Sequence, residues 1–255
     1  MKTETIRTPD GNVYGILDLL GQNEDFKFYG VVSENYPKQS LILKIVVNKA
    51  KNYILEREAF LLNEMSESAE RIDEEYGQTH NGEKLNYQIG FPKLVENFIS
   101  EEQNERRVLV IRLTMINSLS EIFPIDKIRE IERVRVDPKT SVWILGKLLK
   151  IIAFAHDQLF ATVGKLDAEN IFIVKENHLV SIFDWSKSIL HSSLVSQKTA
   201  MSELRQVVKM TILFLGGDPD TGNIPDHEQL EGEGVQYREL LKSLLTKDFE
   251  SVYDA

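Results

Sequence analysis

Two oxygen-bearing side chains stand at the ends of a predicted β-hairpin, and their types and spacing suit cation chemistry. The apolar run Ile171–Val174 leads into a polar turn at 175–178, and a second apolar run follows from Leu179. These runs predict two short strands joined by a turn. Asn170 precedes the first strand and Asp184 follows the second, so antiparallel pairing should bring an amide oxygen and a carboxylate together. Oxygen ligands of this kind suit a hard cation such as Mg²⁺.

The segment that contains this hairpin resembles the catalytic segment of the protein-kinase superfamily. That family reads H-R-D-L-x-x-x-N, then a short hairpin, then D-F-G. Leu166 and Asn170 match the Leu and Asn of the loop, and Asp184-Trp185-Ser186 stands in the place of D-F-G. The Asp-Trp pair is more similar to small-molecule kinases and divergent bacterial kinase-like proteins. The resemblance implies ATP or a related nucleotide as a cofactor, with Asn170 and Asp184 as ligands of Mg²⁺.

The residues expected to transfer a phosphoryl group depart from the family pattern. Val163-Gly164-Lys165 stands in the place of His-Arg-Asp, so the catalytic base is missing from its position. In kinases a Lys commonly lies two residues after the catalytic Asp, whereas here Lys165 precedes Asp167. One hypothesis is that the two residues exchanged roles, with Lys165 contacting phosphate and Asp167 facing the acceptor. The alternative is drift in a loop that no longer performs chemistry.

A lysine in the middle of an apolar strand is the second chemical feature. Lys44 lies in the run L-I-L-K-I-V, and a charge inside such a run needs a partner or a water-facing position. It is either a solvated lysine on an edge strand or, by the resemblance, the lysine that contacts the α- and β-phosphates and pairs with a helix Glu. Glu58 fits the family's R-E-x-x-x-L context at 57–62, and Glu56 is the alternative partner.

The remaining nucleotide contacts are implied by the resemblance alone. Gly21 stands in the first turn, where kinases have a glycine-rich cover over the phosphates, although its neighbours here are polar or bulky. Ile111 would guard the back of an adenine pocket. Arg112, Leu113 and Thr114 would form the hinge whose backbone groups bond the base.

The secondary-structure elements predicted around these residues indicate an α+β chain with a protein-kinase-like, two-lobed fold. Residues 1–114 would form a nucleotide-covering lobe, a five-stranded antiparallel sheet plus a helix at 53–65 that extends into the polar segment 66–88 before a loop. Its strands are predicted at 13–20, 26–32, 40–47, 91–98 and 107–113. Residues 115–255 would form a shortened, mainly helical lobe that carries the catalytic-loop-like and metal-binding-like segments.

Three helices are predicted in the second lobe. Asp137 and Pro138 are typical of an N-cap and a first helical position, and the apolar face that follows ends near His156. That histidine would cap the helix or fill the core, or else act in catalysis. A helix at 199–215 carries Glu203 near the place where kinases often have an Asp that steadies the catalytic loop. The third helix is predicted at 235–245.

Composition limits the function further. The chain has 255 residues, a formal net charge of −10 and no Cys. The acidic balance without a basic patch argues against nucleic-acid binding. Without Cys the chain has no disulfide, thiolate metal site or thiol catalysis. No apolar run predicts a signal segment or a membrane span, so we expect a cytoplasmic protein without a membrane partner.

Three functions fit these observations. The first is a pseudokinase that binds a nucleotide and regulates a protein partner. The second is an active, atypical phosphotransferase that acts on a small molecule or an unusual protein site. The third is a scaffold with the kinase shape that binds no nucleotide. Turnover separates the first two, and nucleotide binding separates both from the third.

Overall fold

The structure is a computed structural model that describes residues 4–37, 39–114, 118–119, 123–125, 135–174, 179–225, 233–249 and 251–252. The chain divides into two compact units. Unit 1 comprises Met1–Ile122 with Val174–Asn177, and unit 2 comprises Phe123–Ile173 with His178–Ala255. The predicted turn at 175–178 lies outside the described residues. The nucleotide-covering role assigned to residues 1–114 stays a prediction.

Unit 1 is built on a six-stranded antiparallel sheet with the strand order β1-β2-β3-β4-β6-β5. The strands are β1 (Thr5–Arg7), β2 (Val13–Gln22), β3 (Phe26–Val32), β4 (Leu41–Val46), β5 (Lys93–Ser100) and β6 (Arg106–Arg112). The prediction of five strands is therefore wrong by one. The missed strand β1 has a single apolar residue, Ile6, whose burial against the sheet is invisible to a periodicity argument.

One face of this sheet holds an apolar core, because the sheet curls and brings β5 near the start of β2. Asn12, just before β2, donates a hydrogen bond to the Glu96 carboxylate of β5. The core residues are Ile6, Tyr14, Val31, Leu41, Leu43, Ile45, Phe98, Val108 and Val110. Burial, followed by the nearby charge of Glu96, raises the pKa of Tyr14 far above its ordinary value.

Helix α1 (Asn52–Thr79) packs its apolar face against β5 and β6. The helix extends beyond the apolar periodicity at 53–65 into the polar segment, as predicted, and its buried face continues through Met65 to Ser68 and Ala69. The segment after the helix is tied back to it. The Asp73 carboxylate accepts hydrogen bonds from the backbone N–H groups of Leu85 and Asn86, at 2.9 and 3.0 Å.

Unit 2 contains the helices α2 (Pro138–Leu159), α3 (Gln197–Phe214) and α4 (Glu233–Thr246), with α3 packed against both others. The predicted start of α2 is confirmed, because the Asp137 carboxylate accepts a hydrogen bond from Thr140 N at 3.0 Å and Pro138 follows it. Helix α3 ends before Gly216, whose φ of +75° favours glycine. Among the described residues, no helix is long and apolar enough to cross a membrane.

Short strands connect these helices. The strands β9 (Ile171–Val174) and β10 (Leu179–Ile182) pair as predicted, and β7 (Phe123–Pro124) adds to β9 in a three-stranded sheet. A separate two-stranded pair joins β8 (Ala161–Thr162) to β11 (Ile189–Leu190). This pair fixes both ends of the segment 163–188, which contains the loop and the hairpin that carry the candidate site residues.

Candidate functional site

A buried ion pair forms the first part of the candidate site. The Lys44 ammonium lies 2.6 Å from the Glu58 carboxylate, and the side chains of both residues are only 1% exposed. Strand β4 lies between β3 and β6, so the interpretation of Lys44 as an edge-strand lysine facing water is wrong. Glu56 is 65% exposed and pairs with Arg107, which leaves Glu58 as the partner of Lys44.

Two aromatic rings of β3 also contact the Lys44 ammonium, and sequence reasoning missed them. The Nζ atom lies 4.3 Å from the centroid of the Phe26 ring and 5.5 Å from that of Phe28. Phe28 is directly opposite Lys44 in the β3–β4 register. A cation over an aromatic face is attracted by the negative charge on that face, and the attraction grows when water is excluded. The alternating sequence F-K-F at 26–28 indicates that two aromatic rings share one face of β3. Only the β3–β4 register shows that this face lies beside Lys44.

The turn between β2 and β3 is compact rather than glycine-rich. The Asn23 side chain accepts hydrogen bonds from the backbone N–H groups of Asp25 and Phe26 at 2.9 and 2.8 Å. Gly21 pairs with Phe28 on β3, and no atom lies within 4 Å of the position where its Cβ would be. The local fold therefore does not require glycine at 21, and its proposed contact with phosphates stays a prediction.

The predicted hinge residues lie at the end of β6. Ile111 is 1% exposed and pairs with Ile42 and Leu94, while Leu113 is also buried. Thr114 follows, with an Oγ1 atom that has no hydrogen-bond partner within the described ranges. The place of Ile111 behind an adenine pocket stays a prediction. The backbone contacts assigned to Arg112, Leu113 and Thr114 stay predictions.

The predicted mouth of the β9–β10 hairpin is held closed by hydrogen bonds of the Asn170 side chain. Its Oδ1 accepts from the backbone N–H of Asp184 at 2.5 Å, and its Nδ2 donates to the backbone carbonyls of Asp184 and Lys165 at 2.9 and 2.8 Å. Phe183 N also donates to the Asn170 carbonyl at 3.0 Å. Both mouth residues are buried. The structure thus brings Asn170 and Asp184 into direct contact.

The donor set at this mouth fits Mg²⁺ only together with other ligands. Asp184 offers a carboxylate, one oxygen of which accepts a hydrogen bond from Ser186 N at 2.9 Å. The Asn170 amide oxygen already accepts one N–H and has one further lone pair. In the part of the chain that the structure describes, no group of three or more His, Cys, Asp or Glu could hold a metal. Mg²⁺ is commonly held by one or two carboxylates plus phosphates and water, and these residues fit that pattern.

The loop before Asn170 needs glycine where kinases have arginine. Gly164 has φ +79°, and a Cβ there would lie 2.2 Å from the carbonyl oxygen of Lys187. Gly164 N donates to Glu203 Oε1 at 2.7 Å, and the other Glu203 oxygen contacts His156 Nε2 at 2.8 Å. Both Glu203 and His156 are buried. Glu203 therefore steadies this loop, as the resemblance implies, and His156 is a buried core residue that bonds to it.

Unlike the buried pair of Glu203 and His156, Lys165 and Asp167 are partly exposed to solvent. The ammonium lies 3.6 Å from the Asp167 carboxylate and 3.4 Å from that of Glu169, and the Asp167 side chain is 47% exposed. The second Asp167 oxygen accepts a hydrogen bond from Asn170 N at 3.0 Å. Sequence reasoning missed Glu169, although its i, i+4 spacing from Lys165 was a usable signal. Lys165 thus has two acidic neighbours in this loop.

Comparison with known proteins identifies the class of fold. The structure is similar to that of vaccinia related kinase 3, with a TM-score of 0.65 and 13% sequence identity over 98% of this chain and 86% of that chain. It is also similar to the PknI kinase domain of Mycobacterium tuberculosis, with a TM-score of 0.57 and 12% identity over 94% and 92% of the two chains. The chain has a protein-kinase-like fold, as predicted.

These similarities concern the fold alone, because so few residues are identical. No protein-family model matches the sequence, and no curated protein matches it. The roles of the individual residues therefore depend on the geometry of this chain.

Proposed function

We propose that this chain is a kinase-like protein that binds Mg·ATP or a related nucleotide and has a regulatory, partner-binding role. The buried Lys44–Glu58 pair is the observation that carries the proposal. Removing two charges from water costs several kcal/mol, and such a pair often adds little net stability compared with apolar residues of the same volume. A buried, paired lysine in a nucleotide-binding fold is therefore better explained by a ligand that it contacts than by stability alone.

The residues divide into two roles. Lys44, oriented by Glu58, would contact the phosphates. Asp184, whose backbone Asn170 holds in place, would contact the magnesium ion through its carboxylate. Bound Mg²⁺ would neutralise part of the phosphate charge. That Lys44 and Asp184 contact the same nucleotide is part of the proposal.

The residue at 165 is the reason to expect nucleotide binding without efficient phosphoryl transfer. A positioned general base contributes roughly 10²- to 10⁴-fold to such a reaction, and a protonated lysine cannot serve as one. Lys165 Nζ lies within 4 Å of two carboxylates, so the side chain is placed as a partner of acids and not as the acceptor of a substrate proton. A protein partner that responds to the bound nucleotide is part of this proposal, and the cytoplasmic location of the chain remains a prediction.

Thermal unfolding with and without Mg·ATP tests the proposal. A ligand at about 100 times its Kd should stabilise the native state by about 2.7 kcal/mol. Asp184→Asn keeps an oxygen for the Ser186 hydrogen bond and removes the charge, so it should abolish the Mg²⁺-dependent part of the shift. Asp220→Asn, at a carboxylate that is 86% exposed, is the matched control. A wild type that shows no shift would favour the scaffold without nucleotide.

A second candidate, an atypical phosphotransferase, is favoured by one observation. Asp167 is half-exposed and lies 3.6 Å from Lys165, so the two residues could act with exchanged roles toward a small-molecule or protein acceptor. Phosphoryl transfer depends mainly on positioning and electrostatics, which a swapped pair can supply. Measurable turnover that disappears in both Lys165→Met and Asp167→Asn, with nucleotide binding retained, would support this candidate. An inactive wild type would contradict it.

A further inference from the structure

The face of the sheet that presents Lys44 carries aromatic and aliphatic side chains rather than open space. Phe26 and Phe28 lie on the same face of β3, with ring centroids 6.3 Å apart in an edge-to-face arrangement. Phe26 is fully buried, whereas Phe28 is only half-buried. Phe26 is thus part of the packed interior, and Phe28 is the partly exposed ring at its margin.

The same face is covered farther along β3. A methyl group at Gly30 would lie 3.2 Å from Leu119 Cδ1 and 3.7 Å from Leu20 Cδ2. Gly30 pairs with Ile42, two residues before Lys44 on β4. Leu119 and Leu20 therefore fill the space over Gly30, while Phe28 covers the neighbouring position beside Lys44.

The tip of the β2–β3 hairpin is held down by contacts with the segment that precedes α1. The Lys51 ammonium forms an ion pair with Asp25 and donates to the Glu24 carbonyl at 3.2 Å. Val47 N donates to the Asp25 carbonyl at 2.8 Å. Asp25 is 6% exposed, so its charge is largely withdrawn from water at this contact. These contacts tie the β2–β3 hairpin to residues 47–51, which follow β4, and keep Phe28 opposite Lys44.

We infer that Phe28 controls the admission of a nucleotide to Lys44. The inference builds on the proposed function, since it takes the phosphates of Mg·ATP as the ligand of Lys44. In the structure the centroid of the Phe28 ring lies 5.5 Å from the ammonium, where the ring stabilises the charge together with Phe26 and the Glu58 carboxylate. A triphosphate reaches the ammonium only when the ring turns away, and release of the Asp25–Lys51 contact allows the hairpin to lift.

The effect on affinity follows from the population of the open hairpin. The apparent Kd equals the intrinsic Kd divided by the fraction of molecules that are competent to bind. If about one molecule in ten is open, truncation of the ring should tighten Mg·ATP binding about tenfold. The contact of Lys51 with Asp25 is partly exposed, so breaking it should give a smaller gain.

Calorimetric titration with Mg·ATP tests this inference in four forms of the full chain. Phe28→Ala should bind about tenfold more tightly than the wild type, and Lys51→Gln should bind a few-fold more tightly. Tyr29→Ala is the matched control, because it removes an aromatic ring from the next residue on the opposite face, where Tyr29 packs against the apolar core. Its affinity should equal that of the wild type. Unfolding in urea reports whether each form is folded.

The outcomes separate the two proposals. Equal, measurable affinity in the wild type and Phe28→Ala would overturn the role of Phe28 and leave nucleotide binding intact. The same gain in Tyr29→Ala would also overturn it, because general loosening would then explain the effect. Absence of binding in every folded form would overturn nucleotide binding and the role of Phe28 with it. Binding that appears only in Phe28→Ala would support both.

Discussion

Each of the two units contains a lysine–carboxylate pair among its candidate site residues, and the two pairs differ in burial. Lys44 and Glu58 are 2.6 Å apart and almost fully buried. Lys165 and Asp167 are 3.6 Å apart, and their side chains are 29% and 47% exposed. The first pair is fixed by the register of the sheet and the packing of α1. The second lies in a loop where water can replace either partner, so its residues can change at little cost to the fold.

The buried pair should show the largest effect on stability. Lys44→Met leaves the Glu58 carboxylate buried without this cation, which should lower the free energy of unfolding by about 3–5 kcal/mol. The double variant Lys44→Met, Glu58→Leu should recover most of the loss, because no buried charge then remains at the pair. Urea unfolding of the wild type, both single variants and the double variant measures the coupling. Additive losses would mean that the pair is not coupled.

A substitution at Gly164, next to Lys165 of the second pair, should have the next largest effect on stability. Gly164→Ala places a Cβ against the Lys187 carbonyl at a positive φ, and we expect a loss of about 2–3 kcal/mol. Gly146→Ala is the matched control, because nothing lies within 4 Å of its Cβ position inside α2. That change should stabilise the protein by about 0.5–1 kcal/mol. Equal effects at both positions in urea unfolding would contradict the close approach at Gly164.

A third carboxylate, at the start of α2, supplies a pH test. Burial raises the pKa of Asp137, but the hydrogen bonds from Thr140 and its own backbone neighbours outweigh burial and hold that pKa below its usual value. A carboxylate whose pKa is lower in the native state than in the unfolded state stabilises the native state at pH values above its unfolded-state pKa. This stabilisation is lost as the pH falls through the native-state pKa. The free energy of unfolding of Asp137→Asn should therefore depend less on pH in the acid range than that of the wild type. Its cost at neutral pH should be no more than about 1 kcal/mol.

The exposed pair should show the smallest effect. Lys165→Met should change the free energy of unfolding by no more than about 0.5 kcal/mol, because half-exposed ion pairs are screened by water and salt. The comparison with Lys44→Met would fail if the two losses were similar. Unfolding at low and high salt would then show whether Lys165 contributes through its charge.

Much of the fold could be predicted, because local spacing determines it. The strand patterns at 26–32 and 41–46, the Asp137-Pro138 start of α2 and the short strands on either side of 175–178 are properties of neighbouring residues. The kinase-like fold followed from L-D-A-E-N and D-W-S at a fixed separation. Strand β1 was missed because three residues with one apolar side chain form no period, and pairing with β2 alone makes them a strand.

The sequence alone determined which residue types are available: an amide and an acid at the mouth of a hairpin, a lysine in an apolar strand, and a loop without the family's Asp. Only the tertiary structure decided what each one contacts. It selected Glu58 over Glu56, set Phe28 against Lys44, turned the Asn170 amide inward to hold the hairpin closed, and joined His156 to Glu203. These partners are 14 to 47 residues apart. Strand register and helix packing fix such contacts, and no local pattern in the chain carries that information.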